Sequence, residues 1–310
     1  MARLRLIRTT WLAEGVVELV FADPAGAELP AWEPGAHLTL HLPNGMAREY
    51  SLCGDPADRR RYTVAVQRDQ ASRGGSAWVH DRLRVGEFLE VDGPRNTFAL
   101  EDAPAYGLIA GGIGITPIAA MVEALHARGA AWRLLYCGRS RASMAFADRV
   151  GALGPVTLHA DDVSGGRPDL EGYLRELPAD ALVYCCGPEP LLAAVKEALD
   201  DPSRLRVERF RAPEPSRPAD ASADEPFDVL CGTRRLTVRP GVSVLETLRR
   251  DGIDVPSSCE EGICGTCETR VLAGVPDHRD FLLTDEERAS NASMLLCVSR
   301  SRTPELVLDL

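Results

Sequence analysis

The feature that most constrains this chain is the spacing of four of its nine cysteines. Cys259, Cys264 and Cys267 follow the pattern C-x4-C-x2-C, and Cys297 lies far downstream. The other five cysteines are scattered through apolar or turn segments, and an odd total argues against a framework of disulfides. The first residues include no apolar stretch of the secretory type, so we expect no signal peptide. In such a chain a cysteine cluster more often holds metal than disulfide bonds.

The same spacing matches the plant-type pattern for a 2Fe–2S cluster. Gly262 and Gly265 would let the loop pass close to the bridging sulfides and aim backbone amides at the sulfurs. We expect Cys297 to come from a separate strand over residues 294–299. Zinc is the alternative, although structural zinc sites usually use two short pairs of ligands. A Rieske centre requires two histidine ligands, and the sequence places none suitably.

The composition excludes several classes of protein. With 45% hydrophobic and 26% charged residues the chain reads as a globular protein. No apolar run approaches the roughly 18 residues that a membrane-spanning helix requires, so we expect a cytoplasmic protein without membrane association. A net charge of −11 argues against nucleic-acid binding. The acidic surface either steers the protein towards a basic partner or only keeps it in solution, and both interpretations stay open.

Short alternating runs fill the first hundred or so residues. Residues 16–21, 37–41 and 62–66 alternate apolar and polar side chains, and turn residues separate such runs. This pattern indicates an antiparallel barrel or sandwich. One helix is predicted within it, at residues 76–83.

After Pro104 the pattern changes to strands that alternate with helices, which indicates a parallel, doubly wound sheet. The predicted strands are 106–110, 132–137, 156–160, 182–186 and 205–210, and the predicted helices are 117–128 and 190–199. Residues 211–225 are rich in Pro, Ala, Ser and acidic residues and are predicted to be a mobile linker.

A short motif at the end of a predicted strand indicates a flavin site. Arg48-Glu49-Tyr50-Ser51-Leu52 resembles the R-x-Y-S signature of ferredoxin-reductase-like flavoproteins. In that family the arginine meets the flavin phosphate, the tyrosine lies against the isoalloxazine ring, and the serine bonds the polar edge of the ring. An arginine fork and an aromatic face suit these roles.

Two further segments complete the predicted flavin site. Arg73-Gly74-Gly75-Ser76 precedes a predicted helix, and backbone amides at a glycine-rich helix start bind anions. Ala65, Val66 and Gln67 lie on the preceding strand. Taken alone the R-x-Y-S string is a weak signal, and its place between strands and ahead of a nucleotide domain strengthens it.

A glycine-rich loop indicates the nicotinamide site. Residues 110–117 follow a buried strand and begin a helix, but Pro117 stands where the dinucleotide fingerprint has its third glycine. The segment instead resembles the G-G-x-G-I/V-T-P loop of the same reductases, which lines the nicotinamide pocket. We therefore place Gly112, Gly114 and Thr116 at the nucleotide. A plain strand-to-helix turn is the structural alternative.

The fourth predicted strand ends in Cys186-Gly187-Pro188, at the sheet edge where open α/β sheets bind ligands. In the family this turn lies near the nicotinamide. We interpret Cys186 as a small apolar wall, because direct hydride transfer needs no nucleophile. Arg139-Ser140-Arg141 follows the second strand and suits either a 2′-phosphate or an ordinary surface, and the resemblance favours NADH over NADPH.

Together these motifs resemble the phthalate dioxygenase reductase and vanillate demethylase reductase family over essentially the whole chain. The stretches that carry the resemblance are 48–53, 110–117, 184–188 and Asp277-His278-Arg279-Asp280. The resemblance implies FMN, not FAD, as the flavin. It also places Phe210 near the flavin as a movable cap, with a core phenylalanine at a strand end as the alternative.

The expected fold is multidomain α+β. It comprises an N-terminal antiparallel β-barrel that binds FMN, a doubly wound α/β domain that binds the nicotinamide nucleotide, and a C-terminal β-grasp 2Fe–2S ferredoxin domain. The predicted bounds are 1–102, 103–211 and 226–310, with a linker over 212–225.

The resemblance implies an NADH-dependent oxidoreductase that passes electrons through FMN and the cluster to a Rieske-type aromatic oxygenase or demethylase. A cytochrome P450 acceptor is a variant of this prediction. No acid–base residue need be catalytic, since the flavin converts a hydride into single electrons. The alternatives are an electron carrier whose first two domains are degenerate and a flavin sensor without turnover. We expect a monomer.

Overall fold

The structure, a computed structural model, describes residues 1–69, 74–213 and 224–310. It contains two compact units, Met1–Phe210 and Arg211–Leu310. Arg73 of the predicted flavin site and residues 214–223 of the predicted linker lie outside the described residues. No helix in the described ranges is both long and apolar enough to cross a membrane.

The first unit begins with a six-stranded antiparallel sheet whose strand order is β4-β3-β6-β1-β2-β5. Its strands are β1 (Ala2–Ala13), β2 (Val16–Ala22), β3 (Ala36–His41), β4 (Ala47–Ser51), β5 (Tyr62–Gln67) and β6 (Phe88–Asn96). A bridge between Leu52 and Val64 joins the two edge strands, so the sheet closes on itself. Closure leaves the alternate apolar side chains, such as Leu38 and Leu40, inside the barrel. The predicted barrel is confirmed, and its helix, α1, spans Gly75–Asp81.

The second sheet of this unit has five parallel strands in the order β11-β10-β7-β8-β9. They are β7 (Ala105–Gly111), β8 (Ala131–Gly138), β9 (Val156–Ala160), β10 (Leu182–Cys186) and β11 (Leu205–Glu208). The helices are α2 (Ile115–Ala127), α3 (Ala147–Gly151), α4 (Asp161–Ser164), α5 (Leu170–Arg175) and α6 (Glu189–Ala198).

Side chains on both faces of this sheet are buried, which explains its nearly continuous apolar strands. Leu108 and Tyr184 pack with α2 on one face, while Ile109 and Val183 pack with α5 and α6 on the other. The predicted doubly wound domain is confirmed. The strand order reverses between β7 and β10: β8 and β9 are added on one side of β7, and β10 and β11 on the other. Open sheets of this type bind ligands at such a reversal point.

The second unit is built around a five-stranded mixed sheet in the order β13-β12-β18-β14-β16. The elements in chain order are β12 (Phe227–Cys231), β13 (Arg234–Val238), α7 (Val244–Arg250), β14 (Glu268–Ala273), β15 (Pro276–Asp277), α8 (Asp285–Ser290), β16 (Ser293–Leu295), β17 (Arg300–Ser301) and β18 (Glu305–Leu308). Val244, Leu245 and Leu248 of α7 pack onto the sheet, as the predicted β-grasp fold requires.

One strand boundary in this unit differs from the prediction. Residues 294–299 were expected to form a strand that carries Cys297, but β16 ends at Leu295. Cys297 instead lies in a tight turn in which the Ser299 amide donates to the Leu295 carbonyl at 3.1 Å. The apolar run Met294-Leu295-Leu296 resembles a longer strand, but the chain must turn there to direct the thiol towards the other cysteines.

Candidate functional site

Four thiols converge in the second unit. Cys259 and Cys264 lie in an irregular loop after α7, and Cys267 immediately precedes β14. Because β14 pairs antiparallel with β16, the residues that flank these strands lie side by side. The Leu296 amide donates to the Cys267 carbonyl at 3.3 Å, which places Cys297 beside Cys267.

The sulfur atoms form a chain of contacts. Cys259 contacts both Cys264 and Cys297, and Cys297 also contacts Cys267. Contact with the thiols of Cys264 and Cys297, together with the Glu261 amide at 3.3 Å, lowers the pKa of the Cys259 thiol. Amides aimed at sulfur are what a thiolate ligand requires.

The loop of residues 259–267, called the cluster loop below, requires glycine at one crowded position. Gly262 has a φ of +75°, and a Cβ added there would lie 2.6 Å from Val298 and 3.1 Å from the Cα of Asp280. The Phe281 amide donates to the Gly262 carbonyl at 2.9 Å, and the buried Asp280 carboxylate accepts from the Leu283 amide at 2.8 Å. Asp280 and Phe281 therefore support the loop, a role that their sequence did not reveal.

The donor set fits a 2Fe–2S cluster. Among the described residues no group of three or more His, Cys, Asp or Glu side chains is arranged to hold a single metal ion. Within the chain of sulfur contacts, Cys259 with Cys264 and Cys267 with Cys297 supply two pairs of thiols, and each iron of a 2Fe–2S cluster takes two of the four protein ligands.

The predicted flavin residues occupy one end of the barrel. The side chain of Arg48, on β4, passes over the start of α1. A Cβ added to Gly75 would lie 2.7 Å from the Nε of Arg48. Gly74 has a φ of +108°, and Ser76 Oγ accepts from the Asp69 amide at 3.1 Å. A guanidinium beside the amides of a helix start is a suitable arrangement for a phosphate.

The remaining flavin candidates lie on or beside strands β4 and β5 and differ in burial. Leu52 and Val66 are buried in the barrel, Ala65 is buried on the opposite face of β5 in the core shared with the parallel sheet, and Gln67 is exposed at the end of β5. Burial raises the pKa of Tyr50 to about 12 although Arg48 opposes the shift, so the phenol stays neutral.

The nicotinamide candidates lie in two turns that touch each other. The turn after β7 contains Gly112 and Gly114, and the turn after β10 contains Gly187 and Pro188. A Cβ added to Gly187 would lie 3.0 Å from the Cα of Gly111. Thr116 is buried and donates to the Ile113 carbonyl at 2.9 Å, so its hydroxyl shapes the loop.

One carboxyl group near both the flavin candidates and the nicotinamide candidates was not indicated by the sequence. Glu208 ends β11 directly opposite Cys186 of β10, and its Oε2 lies 3.8 Å from the Cys186 sulfur. Burial and, to a smaller extent, the nearby Glu49 carboxylate raise the pKa of Glu208 to about 8, so the carboxyl is mainly neutral at pH 7. No local motif marks Glu208, because only the pairing of β10 with β11 brings it here.

Ser51 lies close to the same carboxyl. Ser51 as a whole residue is only 4% exposed, and within the described ranges its hydroxyl has no hydrogen-bonding partner of standard geometry. The hydroxyl lies near enough to Glu208 to oppose the rise in its pKa, but burial prevails. A buried hydroxyl of this kind fits the polar edge of a flavin. Burial also holds the pKa of the Cys186 thiol well above its ordinary value, so Cys186 is no nucleophile.

Phe210 and the arginines after β8 complete the predicted set. Phe210 follows β11 and is 40% exposed, so the alternative of a core phenylalanine is wrong. Arg141 forms an ion pair with Asp148 at 2.6 Å, and its amide donates to Asp162 at 3.2 Å.

Comparison with known proteins places these features in a family. Residues 228–302 match the family described as a 2Fe-2S iron-sulfur cluster binding domain. The chain is 44% identical to the phenoxybenzoate dioxygenase subunit beta of Ectopseudomonas oleovorans, over 99% of this chain and 97% of that protein.

Two solved structures extend the comparison. The structure of phthalate dioxygenase reductase, described as transferring electrons from pyridine nucleotides to a 2Fe–2S centre, is 37% identical over 99% of this chain and 97% of that one, with a TM-score of 0.71. An intact type IV self-sufficient cytochrome P450 monooxygenase is 41% identical over all of this chain and 41% of that one, with a TM-score of 0.91. The chain is thus an oxidoreductase of the phthalate dioxygenase reductase and vanillate demethylase reductase family, as its motifs predicted.

Proposed function

We propose that this protein is the NADH-dependent reductase component of an oxygenase system. It takes electrons from NADH, passes them through FMN and a 2Fe–2S cluster, and delivers them to a Rieske-type aromatic oxygenase or demethylase. The observation that carries the proposal is the meeting of Ser51, Cys186 and Glu208 at the reversal point of the parallel sheet, in a chain that also gathers four thiols.

Each set of residues has a defined task in this proposal. Arg48 and the amides of Gly74, Gly75 and Ser76 bind the FMN phosphate, and Tyr50 and Ser51 bind the ring. Cys259, Cys264, Cys267 and Cys297 bind the two irons. When bound, FMN takes up a hydride and releases electrons singly, as a one-electron 2Fe–2S cluster requires. The corresponding domain bounds are 1–102, 103–211 and 226–310.

The protein residues position the reactants and exclude competing chemistry. Gly112, Gly114 and Gly187 keep two turns free of side chains where the nicotinamide must approach the flavin. The neutral Glu208 carboxyl can donate as well as accept a hydrogen bond, so it suits an uncharged group such as the nicotinamide carboxamide.

The charges beyond β8 support NADH over NADPH. Arg141 is already paired with Asp148, and the Asp162 carboxylate lies beside the same turn. Carboxylates near the adenosine ribose favour a 2′-hydroxyl and repel a 2′-phosphate.

The similarity to the P450 monooxygenase carries a second candidate for the electron acceptor. That protein contains a region similar to this whole chain. A separate cytochrome P450 could therefore accept electrons from this chain by the same route.

The proposal is tested by anaerobic titration of the purified protein with NADH and, separately, with NADPH. We expect NADH to bleach both the flavin and the cluster absorption, and we expect the released flavin to co-elute with FMN. Release of FAD would contradict the flavin assignment. A protein without flavin, or one that NADH does not reduce, would instead support the electron-carrier alternative.

A further inference from the structure

An arginine outside the cluster loop spans the segment that carries Cys259. The guanidinium of Arg249, in the last turn of α7, forms an ion pair with Glu260 at 2.8 Å and also donates to the Ser257 hydroxyl. Its two partners lie on opposite sides of Cys259 in the chain. The planar guanidinium of Arg249 therefore holds the segment on both sides of Cys259, which is the most exposed of the four cysteines.

The segment held by Arg249 is strained at Glu260. This residue has a φ of +57°, in the left-handed region that non-glycine residues rarely adopt. Such a conformation persists only where the surroundings enforce it. The left-handed conformation of Glu260 also orients the amide of the next residue, Glu261, which donates to the Cys259 sulfur at 3.3 Å. Successive amides around a left-handed residue form the anion-binding concavity that many iron–sulfur sites use.

We infer that Arg249 is a positioning residue of the cluster, which holds Glu260 in its left-handed conformation and thereby keeps the Glu261 amide on the Cys259 sulfur. The inference rests on the proposed role of Cys259 as a cluster ligand. Hydrogen bonds to ligand sulfur stabilise the more negative, reduced cluster and raise its reduction potential. Arg249 thus sets how readily the cluster accepts an electron.

Lysine could not replace Arg249 in this role, because an ammonium group lacks the planar fork that reaches two partners at once. The next residue provides a matched control. Arg250 lies on the same exposed turn of α7 but pairs with Glu246 of its own helix, four residues away, at 2.5 Å. Arg250→Ala therefore removes the same charge near the loop without removing a contact to it.

The experiment compares the full-length holoproteins Arg249→Ala, Arg250→Ala and wild type by redox titration followed by electron paramagnetic resonance. For Arg249→Ala we expect the equilibrium constant for reduction to fall about threefold, which is about 28 mV at 59 mV per tenfold change, with altered g-values. Arg250→Ala should keep the wild-type potential and spectrum. Equal shifts in both variants would overturn the inference, because they would reflect charge alone.

Two double variants separate conformation from charge. Removing Arg249 leaves the Glu260 carboxylate uncompensated, which could lower the potential by itself. We therefore expect Arg249→Ala/Glu260→Gly to regain the wild-type potential, because glycine adopts the left-handed conformation freely. Arg249→Ala/Glu260→Gln loses the same negative charge but keeps the strained position, and it should not recover. Equal recovery by the two double variants would overturn the inference.

Loss of the cluster is also informative. If Arg249→Ala binds less iron than wild type, the glycine double variant should restore the iron content and the glutamine double variant should not. Wild-type behaviour of Arg249→Ala would overturn the inference and leave the proposed function intact. Absence of a 2Fe–2S signal from the wild-type holoprotein would refute the proposed function itself.

Discussion

The cluster loop and the flavin–nicotinamide site organise their residues in opposite ways. Three of the four proposed cluster ligands lie within one short stretch, residues 259–267, whose path is irregular and is set by residues with positive φ and by supporting side chains. Cys186 and Glu208 lie opposite each other because of the register of β10 and β11, and Ser51 approaches them from β4 of the barrel sheet. A local site is specified by its ligands and backbone, whereas a site at strand ends is specified by which strands are neighbours.

This difference predicts different weak points. The cluster loop should fail when a ligand or a support is removed, since little else holds an irregular loop. The strand-end site has rigid support but little free space, so it should fail when atoms are added to it.

The largest expected effect is that of removing a proposed cluster ligand. Cys264→Ser should abolish the cluster absorption and lower the iron content, because the serine hydroxyl is a poor substitute for a thiolate. Reduction of the flavin by NADH should persist, while electron delivery to the partner oxygenase should stop. Cys231→Ser, at a buried cysteine of the same unit that is no proposed ligand, should retain the cluster. Unchanged partner turnover in Cys264→Ser would refute the proposed electron route.

A smaller but still large effect is expected from one added methyl group at the nicotinamide turn. A Cβ at Gly114 would collide with the Cys186 carbonyl and lie 2.8 Å from the Gly187 amide nitrogen. Gly114→Ala should therefore push the two turns apart and slow flavin reduction by NADH about 100-fold, measured by stopped flow. Gly151→Ala is the control, because nothing lies within 4 Å of a Cβ there. Equal reduction rates in the two variants would show that the turns are not close to the hydride path.

The smallest effect concerns proton binding by Glu208. Burial raises its pKa from 4.5 to about 8, so the folded protein binds this proton more tightly than the unfolded chain does. The resulting contribution to stability is complete below pH 4.5 and is lost as the pH rises through about 8. Glu208→Gln cannot ionise, so its stability relative to wild type should increase between about pH 5 and about pH 9.

Thermal unfolding of flavin-depleted protein across that range measures this difference. Glu49→Gln serves as the comparison, because losing the neighbouring carboxylate should lower the pKa of Glu208 and shift the wild-type loss of stability to a lower pH. Parallel stability curves for wild type and Glu208→Gln would contradict the expected proton uptake.

Features whose residues are close together in the chain could be predicted from the amino-acid sequence. The cysteine spacing, the alternation of the barrel strands and the glycine-rich turns predicted a 2Fe–2S domain, a barrel and a doubly wound domain, and these predictions are confirmed. Each is specified by residues within a few positions of one another, where spacing and periodicity carry the information.

Contacts between residues that are far apart in the chain could not be predicted, because they depend on how the elements pack. The pairing of β10 with β11 brings Glu208 to Cys186, the turn after β16 directs Cys297, and the end of α7 places Arg249 across the Cys259 segment. None of these contacts has a local pattern, because each depends on strand order and on where an element ends. The four cysteines could therefore be predicted from the sequence, but the side chains that hold their loop in shape could not.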